Sequence, residues 1–153
     1  MLGRPIREDD RVDPITDYGR TKADGEAAVQ SEHPQAVVVR TSLIYGGVEP
    51  SRHERLARDP AMTFYEDEIR CPVAAPDLAA ALLELARRPE IAGPLHVAGA
   101  HPVSRLDFAR LVAGDNVKAA RRPPDRPGDL RLDCSRADNL LATRLRGVRE
   151  VLG

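Results

Sequence analysis

Tyr18 and Lys22 stand four positions apart in the stretch Thr16-Asp17-Tyr18-Gly19-Arg20-Thr21-Lys22. On a helix that spacing sends both side chains from one face. A phenol titrates at about 10, too high to exchange protons readily at neutral pH. An ammonium beside it favours the phenolate and makes the tyrosine a usable acid or base. The same spacing suits an exposed contact with no chemistry, so the pair gains meaning only from its setting. Other candidates are weaker. His33, His53, His96 and His101 lack ligand spacing and read as surface or core histidines, so no metal site is expected. Asp67 and Glu68 are neighbours, which a strand sends to opposite faces, and they read as a solvated turn. Arg121, Arg122 and Arg126 lie in a Pro-rich loop that reads first as solvated and second as a contact for a substrate diphosphate. Cys71 and Cys134 have no activating neighbours in sequence and read as inert thiols.

The chain that must position these groups has 153 residues, the size of one domain or of part of a larger one. Its 23 basic against 24 acidic residues leave a formal charge of −1, with no general pull toward nucleic acid or an anionic membrane. No apolar run approaches a spanning helix, and no signal-peptide pattern is present. Two cysteines without C-x-x-C spacing suit a reducing cytoplasm. Trp is absent and only two Phe and three Tyr occur, so the core must be mainly Leu, Val and Ala.

Residues 1–15, with Pro5 and Pro14, read as irregular. A helix is predicted over 17–31, capped by Asp17, with Ala23, Ala27, Ala28 and Val29 as its apolar face and His33-Pro34 as its stop. Gly19 and Gly25 weaken it by roughly 1 kcal/mol each, so tertiary contacts must hold it. Residues 36–45, Val-rich and closed by Gly46-Gly47, read as a strand buried on both faces of a parallel sheet. Residues 51–59 read as a short surface helix or loop, and 62–65 as a strand. Pro76 opens a helix through Arg88 with Leu78, Ala79, Leu82, Leu83, Leu85 and Ala86 inward. A strand is predicted over 95–99, a helix from the Ser104/Asp107 capping box through Val112, a loop over 121–129, and a helix after the Ser135/Asp138 capping pair. This order favours α/β architecture.

The stretch Asp13 to Glu26 closely resembles the active-site helix of the extended short-chain dehydrogenases/reductases, and within them the dTDP-4-dehydrorhamnose reductase family. Val39 to Gly46 resembles that family's next sheet strand, Asp67 to Val73 the lead into its next helix, and Ser135-Arg136-Ala137 with Thr143 to Val148 its C-terminal segment. These blocks stand in family order over nearly the whole chain. The resemblance implies hydride transfer from NADPH or NADH to a keto carbon of a nucleotide-linked sugar. Tyr18 would protonate the developing alkoxide, and Lys22 would hydrogen-bond the nicotinamide ribose and lower the phenol's pKa. Ser42 would lie by the nicotinamide and Leu43 would face the sugar, where the rhamnose-pathway enzyme is expected to carry Trp.

The implied fold is a partial Rossmann-like α/β domain, lacking its N-terminal βαβ units, plus a small substrate-binding region. Residues 1–47 would carry the Rossmann remnant and 48–153 mainly the substrate region, with elements near 76–99 returning to the sheet. The family's Gly-rich turn has no counterpart, since neither G-x-G-x-x-G nor G-x-x-G-x-x-G occurs, and its catalytic Ser or Thr would lie further upstream. The expectation is therefore a shortened chain without tight NADPH binding or turnover of its own. A second copy or a partner chain would cover its exposed sheet. A misplaced start codon, a decayed remnant and a non-catalytic sugar-nucleotide-binding or regulatory module are the three accounts, and retention of Tyr18 with Lys22 favours the first.

Overall fold

A computed structural model describes residues 3–153; Met1 and Leu2, the start of the segment read as irregular, lie outside the described residues. Helix α1 (Asp17–Glu32) leads into β1 (Val37–Arg40), β2 (Ile44–Tyr45), α2 (Arg52–Ala57), β3 (Thr63–Tyr65), β4 (Ile69–Arg70) and β5 (Val73–Ala74). Then follow α3 (Ala75–Leu85), β6 (Gly93–His96), β7 (Val103–Ser104), α4 (Arg105–Ala113), β8 (Lys118–Ala120), α5 (Ser135–Leu140) and α6 (Val148–Leu152). The elements read from the sequence form in their expected order, and β4, β5, β7, β8 and α6 are added to them.

The expected long strand divides. β1 pairs in parallel with β6, Val37 opposite Gly93 through Arg40 opposite His96. The chain breaks its pairing over 41–43 and resumes as β2, which pairs in parallel with β5. β1 has β6 as its one hydrogen-bonded neighbour among the described strands, so its Val-Val-Val run is half-buried rather than buried on both faces. β3 pairs in parallel with β8, and β4 antiparallel with β7. Strand β8 carries no apolar periodicity, and its pairing with β3 is a long-range event.

The cap of helix α1 lies one residue earlier than expected. Thr16, not Asp17, holds the extended N-cap conformation, and its Oγ1 accepts from Gly19 N at 3.1 Å. The inward-facing residues are Gly19, Ala23, Glu26 and Gln30, whereas Ala27, Ala28 and Val29 face out, and none is fully buried. A bidentate ion pair ties the helix to β1: Arg40 Nε and Nη2 donate to Glu26 at 3.0 and 2.5 Å. Helix α3 carries Pro76 in its first turn as expected. It ends at Leu85, and its buried residues are Asp77, Leu78, Ala81 and Leu85, while Leu82 and Leu83 stay exposed. Ser135 does not cap α5; its hydroxyl donates to Asp133 instead, at 2.5 Å.

The core is chiefly aliphatic, as the composition requires. Leu78, Ala81, Leu85, Ile91, Leu95, Val97 and Leu141 form its largest cluster. A second cluster holds Tyr45 and Phe108, whose rings meet edge to face with centroids 5.8 Å apart. The Tyr45 hydroxyl is buried there without a hydrogen-bond partner, and burial pushes its phenol up to about 12. Tyr45→Phe keeps the ring and removes the unpaired group, so a gain of about 1 kcal/mol is expected in urea denaturation.

Asp77 joins the first turn of α3 to the C-terminal segment. It accepts from Arg146 N at 3.0 Å, Nε at 3.1 Å and Nη2 at 2.7 Å. The guanidinium holds this carboxyl below the usual carboxylate range, as Arg4 holds Asp10 at about 2. A depressed folded-state pKa stabilises the fold above the unfolded value of about 3.9 and loses that contribution as pH falls through the folded value. Melting temperature is therefore expected to drop steeply from about pH 4 toward 2, and Asp77→Asn to flatten that slope in circular-dichroism melts.

Candidate active-site cleft

The first turn of α1 forms one wall of a cleft of about 960 Å³. Pro14 and Thr16 pack under that turn, and a Cβ on Gly19 would come within 3.0 Å of the Pro14 Cβ. This close fit sets Tyr18 at the cleft, 74% exposed. The Lys22 ammonium lies 5.6 Å from the centroid of the Tyr18 ring, on the same helix face. Neither side chain is sealed in apolar packing.

The facing wall is the loop around Pro123, Arg126, Pro127 and Leu130, with Glu68 and Arg70 between the two walls. Here the reading of Asp67 and Glu68 as a solvated turn holds for Asp67, which lies in a turn and is part-exposed, and is overturned for Glu68. Glu68 is 3% exposed. Its carboxylate accepts from Arg126 Nε at 2.5 Å, pairs with Arg70 at 3.1 Å and approaches Arg105 to 4.0 Å. Asp67 faces away from that cluster and accepts from Arg122 N at 2.8 Å. The two acids thus serve separate partners, and both brace the arginine loop. The loop is accordingly not a simple solvated one: Arg126 lines the cleft, while Arg121 stays largely in solvent near Glu66 and Asp67. Asp13 and Asp125, both exposed, line the same cleft, so its charge is mixed.

Ser42 and Leu43 do not line this cleft. Ser42 Oγ accepts from Cys71 N at 3.1 Å, and the Leu43 carbonyl accepts from Val73 N at 2.8 Å. Both therefore serve the junction between the β1–β2 break and β5. Cys71 and Cys134 line a separate cavity of about 250 Å³. Burial pushes the Cys134 thiol up to about 12 and raises that of Cys71, which suits unreactive thiols. His96 is buried with Nδ1 3.2 Å from the Asp133 carbonyl oxygen, and burial, helped by the neighbouring Arg105, lowers the pKa of His53. No group of three or more potential metal ligands occurs among the described residues. Arg70 is the cleft residue that sequence reasoning missed, and Glu68 the one it set aside. Their i, i+2 spacing places them on one face of an extended segment, and that was the available signal.

The profile described as the RmlD substrate binding domain matches residues 2–153. The chain belongs to that family. A dTDP-4-dehydrorhamnose reductase from Mycolicibacterium smegmatis is 35% identical over 97% of this chain and 50% of its own length. A solved dTDP-4-dehydrorhamnose reductase from Clostridium acetobutylicum superposes with a TM-score of 0.77 at 25% identity, over 99% of this chain and 58% of the other. One from Bacillus anthracis, solved in complex with NADP, superposes with a TM-score of 0.74 at 23% identity, over 95% of this chain and 56% of the other. The chain spans about half the length of the curated relatives it matches. Its fold is accordingly a portion of the Rossmann-like fold of these reductases. No helix among the described residues is long and apolar enough to cross a membrane.

Proposed function

We infer that this chain is the substrate-binding portion of a nicotinamide-dependent reductase acting on a keto group of a nucleotide-linked sugar. The observation that carries the reading is the exposed Tyr18 hydroxyl at the cleft, with the Lys22 ammonium beside its ring. Tyr18 Oη donates a proton to the oxygen of the former carbonyl as that oxygen gains negative charge, and Lys22 stabilises the phenolate left behind. NADPH or NADH supplies the hydride when bound. Lys22 and Tyr18 fit the nicotinamide-ribose end of such a cofactor, being exposed donors on one helix face. The pyrophosphate end finds no glycine-rich turn in these 153 residues. A further strand-bearing polypeptide along the free edge of β1 would hold that end and cover the half-buried valines.

Opposite Tyr18, Arg126 offers its guanidinium to the diphosphate that links nucleotide and sugar. The apolar stretch of Pro14, Ile15, Pro127 and Leu130 faces the rest of the ligand. Ser42 and Leu43 lie in the break between β1 and β2, outside the cleft lining, so their nicotinamide and sugar contacts would need the further polypeptide to bring the cofactor to that break. Titration of the isotope-labelled chain with a dTDP-sugar is expected to shift the amide signals of Tyr18, Gly19, Arg126 and Gly128. Isothermal titration with NADPH is expected to show no micromolar binding. Unmoved signals at those four residues would defeat the substrate reading, and tight NADPH binding the division of labour.

A further inference from the structure

Arg126 is the cation that the Pro-rich loop presents to the cleft, and two groups fix its guanidinium. Glu68 accepts from its Nε at 2.5 Å and its Nη2 at 3.4 Å. The Tyr65 ring lies beneath it, with the guanidinium carbon 5.0 Å from the ring centroid. Nη1 makes no hydrogen bond among the described residues, and the side chain is 47% exposed. The loop backbone is held by the same short segment that carries Glu68. Ile69 N donates to the Gly128 carbonyl at 3.1 Å, Leu130 N to the Ile69 carbonyl at 3.1 Å, and Arg70 Nη1 to the Gly128 carbonyl at 2.6 Å.

An arginine that must be ordered each time it grips a ligand loses rotamer freedom at that moment, whereas one already held does not. Resting on the nucleotide-sugar reading, we propose that Glu68 is a positioning residue: it presets the Arg126 guanidinium so that Nη1 meets the phosphate oxygens of a nucleoside diphosphate. Glu68 itself touches no ligand. Plain electrostatics pulls the other way, because removing a carboxylate from beside an anion site strengthens anion binding. The sign of the effect therefore separates positioning from charge.

Two readouts test this on the 153-residue chain. In the absence of ligand, the Arg126 Nε–H signal, identified by its loss in Arg126→Lys, is expected to stand apart from the mobile arginines and to merge with them in Glu68→Gln. In calorimetric titrations, Glu68→Gln is expected to weaken binding of dTDP and of inorganic pyrophosphate about tenfold and leave thymidine binding unchanged. Should Glu68→Gln fail to fold, Tyr65→Leu removes the ring beneath the guanidinium and is expected to weaken both phosphates in the same direction. Equal or tighter dTDP binding by Glu68→Gln, or an Nε–H signal that survives the substitution, overturns the positioning role while the nucleotide-sugar reading stands. A wild-type chain that binds neither dTDP nor pyrophosphate removes both.

Discussion

Tyr18→Phe is expected to lower turnover about a thousandfold, within the range general acid catalysis supplies. The measurement needs a complete enzyme: a chimera in which this chain replaces the matching segment of the Mycolicibacterium smegmatis relative, which it covers over half its length. NADPH absorbance then reports turnover with dTDP-4-dehydrorhamnose as substrate. Phe preserves the aromatic ring and removes the one proton that the mechanism moves. The side chain is 74% exposed and belongs to no core cluster, so folding should not change. The loss should appear in kcat with little change in KM, because the proton transfer develops only in the transition state. Lys22→Met should lower kcat as well, since it removes the positive charge 5.6 Å from the ring. A Tyr18→Phe chimera as fast as its parent would remove the catalytic assignment.

Gly99→Ala is the second large effect, and it falls on stability. Gly99 is buried, and a Cβ there would stand 1.9 Å from the Pro72 carbonyl oxygen, 3.0 Å from its carbon and 3.2 Å from the Arg146 carbonyl oxygen. All three are backbone atoms in the segments on either side of Asp77, which the Asp77–Arg146 bonds lock together. No side-chain rotation can relieve the clash, so a loss of about 3 kcal/mol or more is expected in urea denaturation. Gly25→Ala provides the contrast. Its Cβ would meet nothing within 4 Å, and the residue lies on the exposed side of α1. A gain of about 0.5–1 kcal/mol is expected there. A Gly99→Ala chain as stable as its parent would show that the three segments can separate without cost.

Both effects trace to residues that differ in how openly the sequence displays them. The Tyr18–Lys22 pair needs only the helical repeat, and α1 runs over nearly the predicted span. Helix α3 likewise follows from Pro76 and a three-four apolar repeat, although its Leu82 and Leu83 turn outward. The apolar face assigned to α1 failed for a related reason. With β1 flanked by β6 as its one strand neighbour among the described residues, the helix is tied to the sheet by the Glu26–Arg40 pair, and Ala27 to Val29 are left exposed.

The sequence by itself determined the elements whose causes are local: the Tyr18–Lys22 pair on one helix face, the parallel pairing of the Val-rich strand, the Pro76 start of α3 and the Ser104 cap of α4, and the family that their order identifies. The tertiary structure alone decided that Glu68 would be buried against Arg126, 58 positions away, that β3 would pair with β8, and that the Val-rich strand would break after Arg40. Helical and strand periods act over a few residues, and spacing displays them directly. An ion pair between distant positions carries no such period. With 23 basic and 24 acidic residues available, only the path of the backbone selects which of them meet.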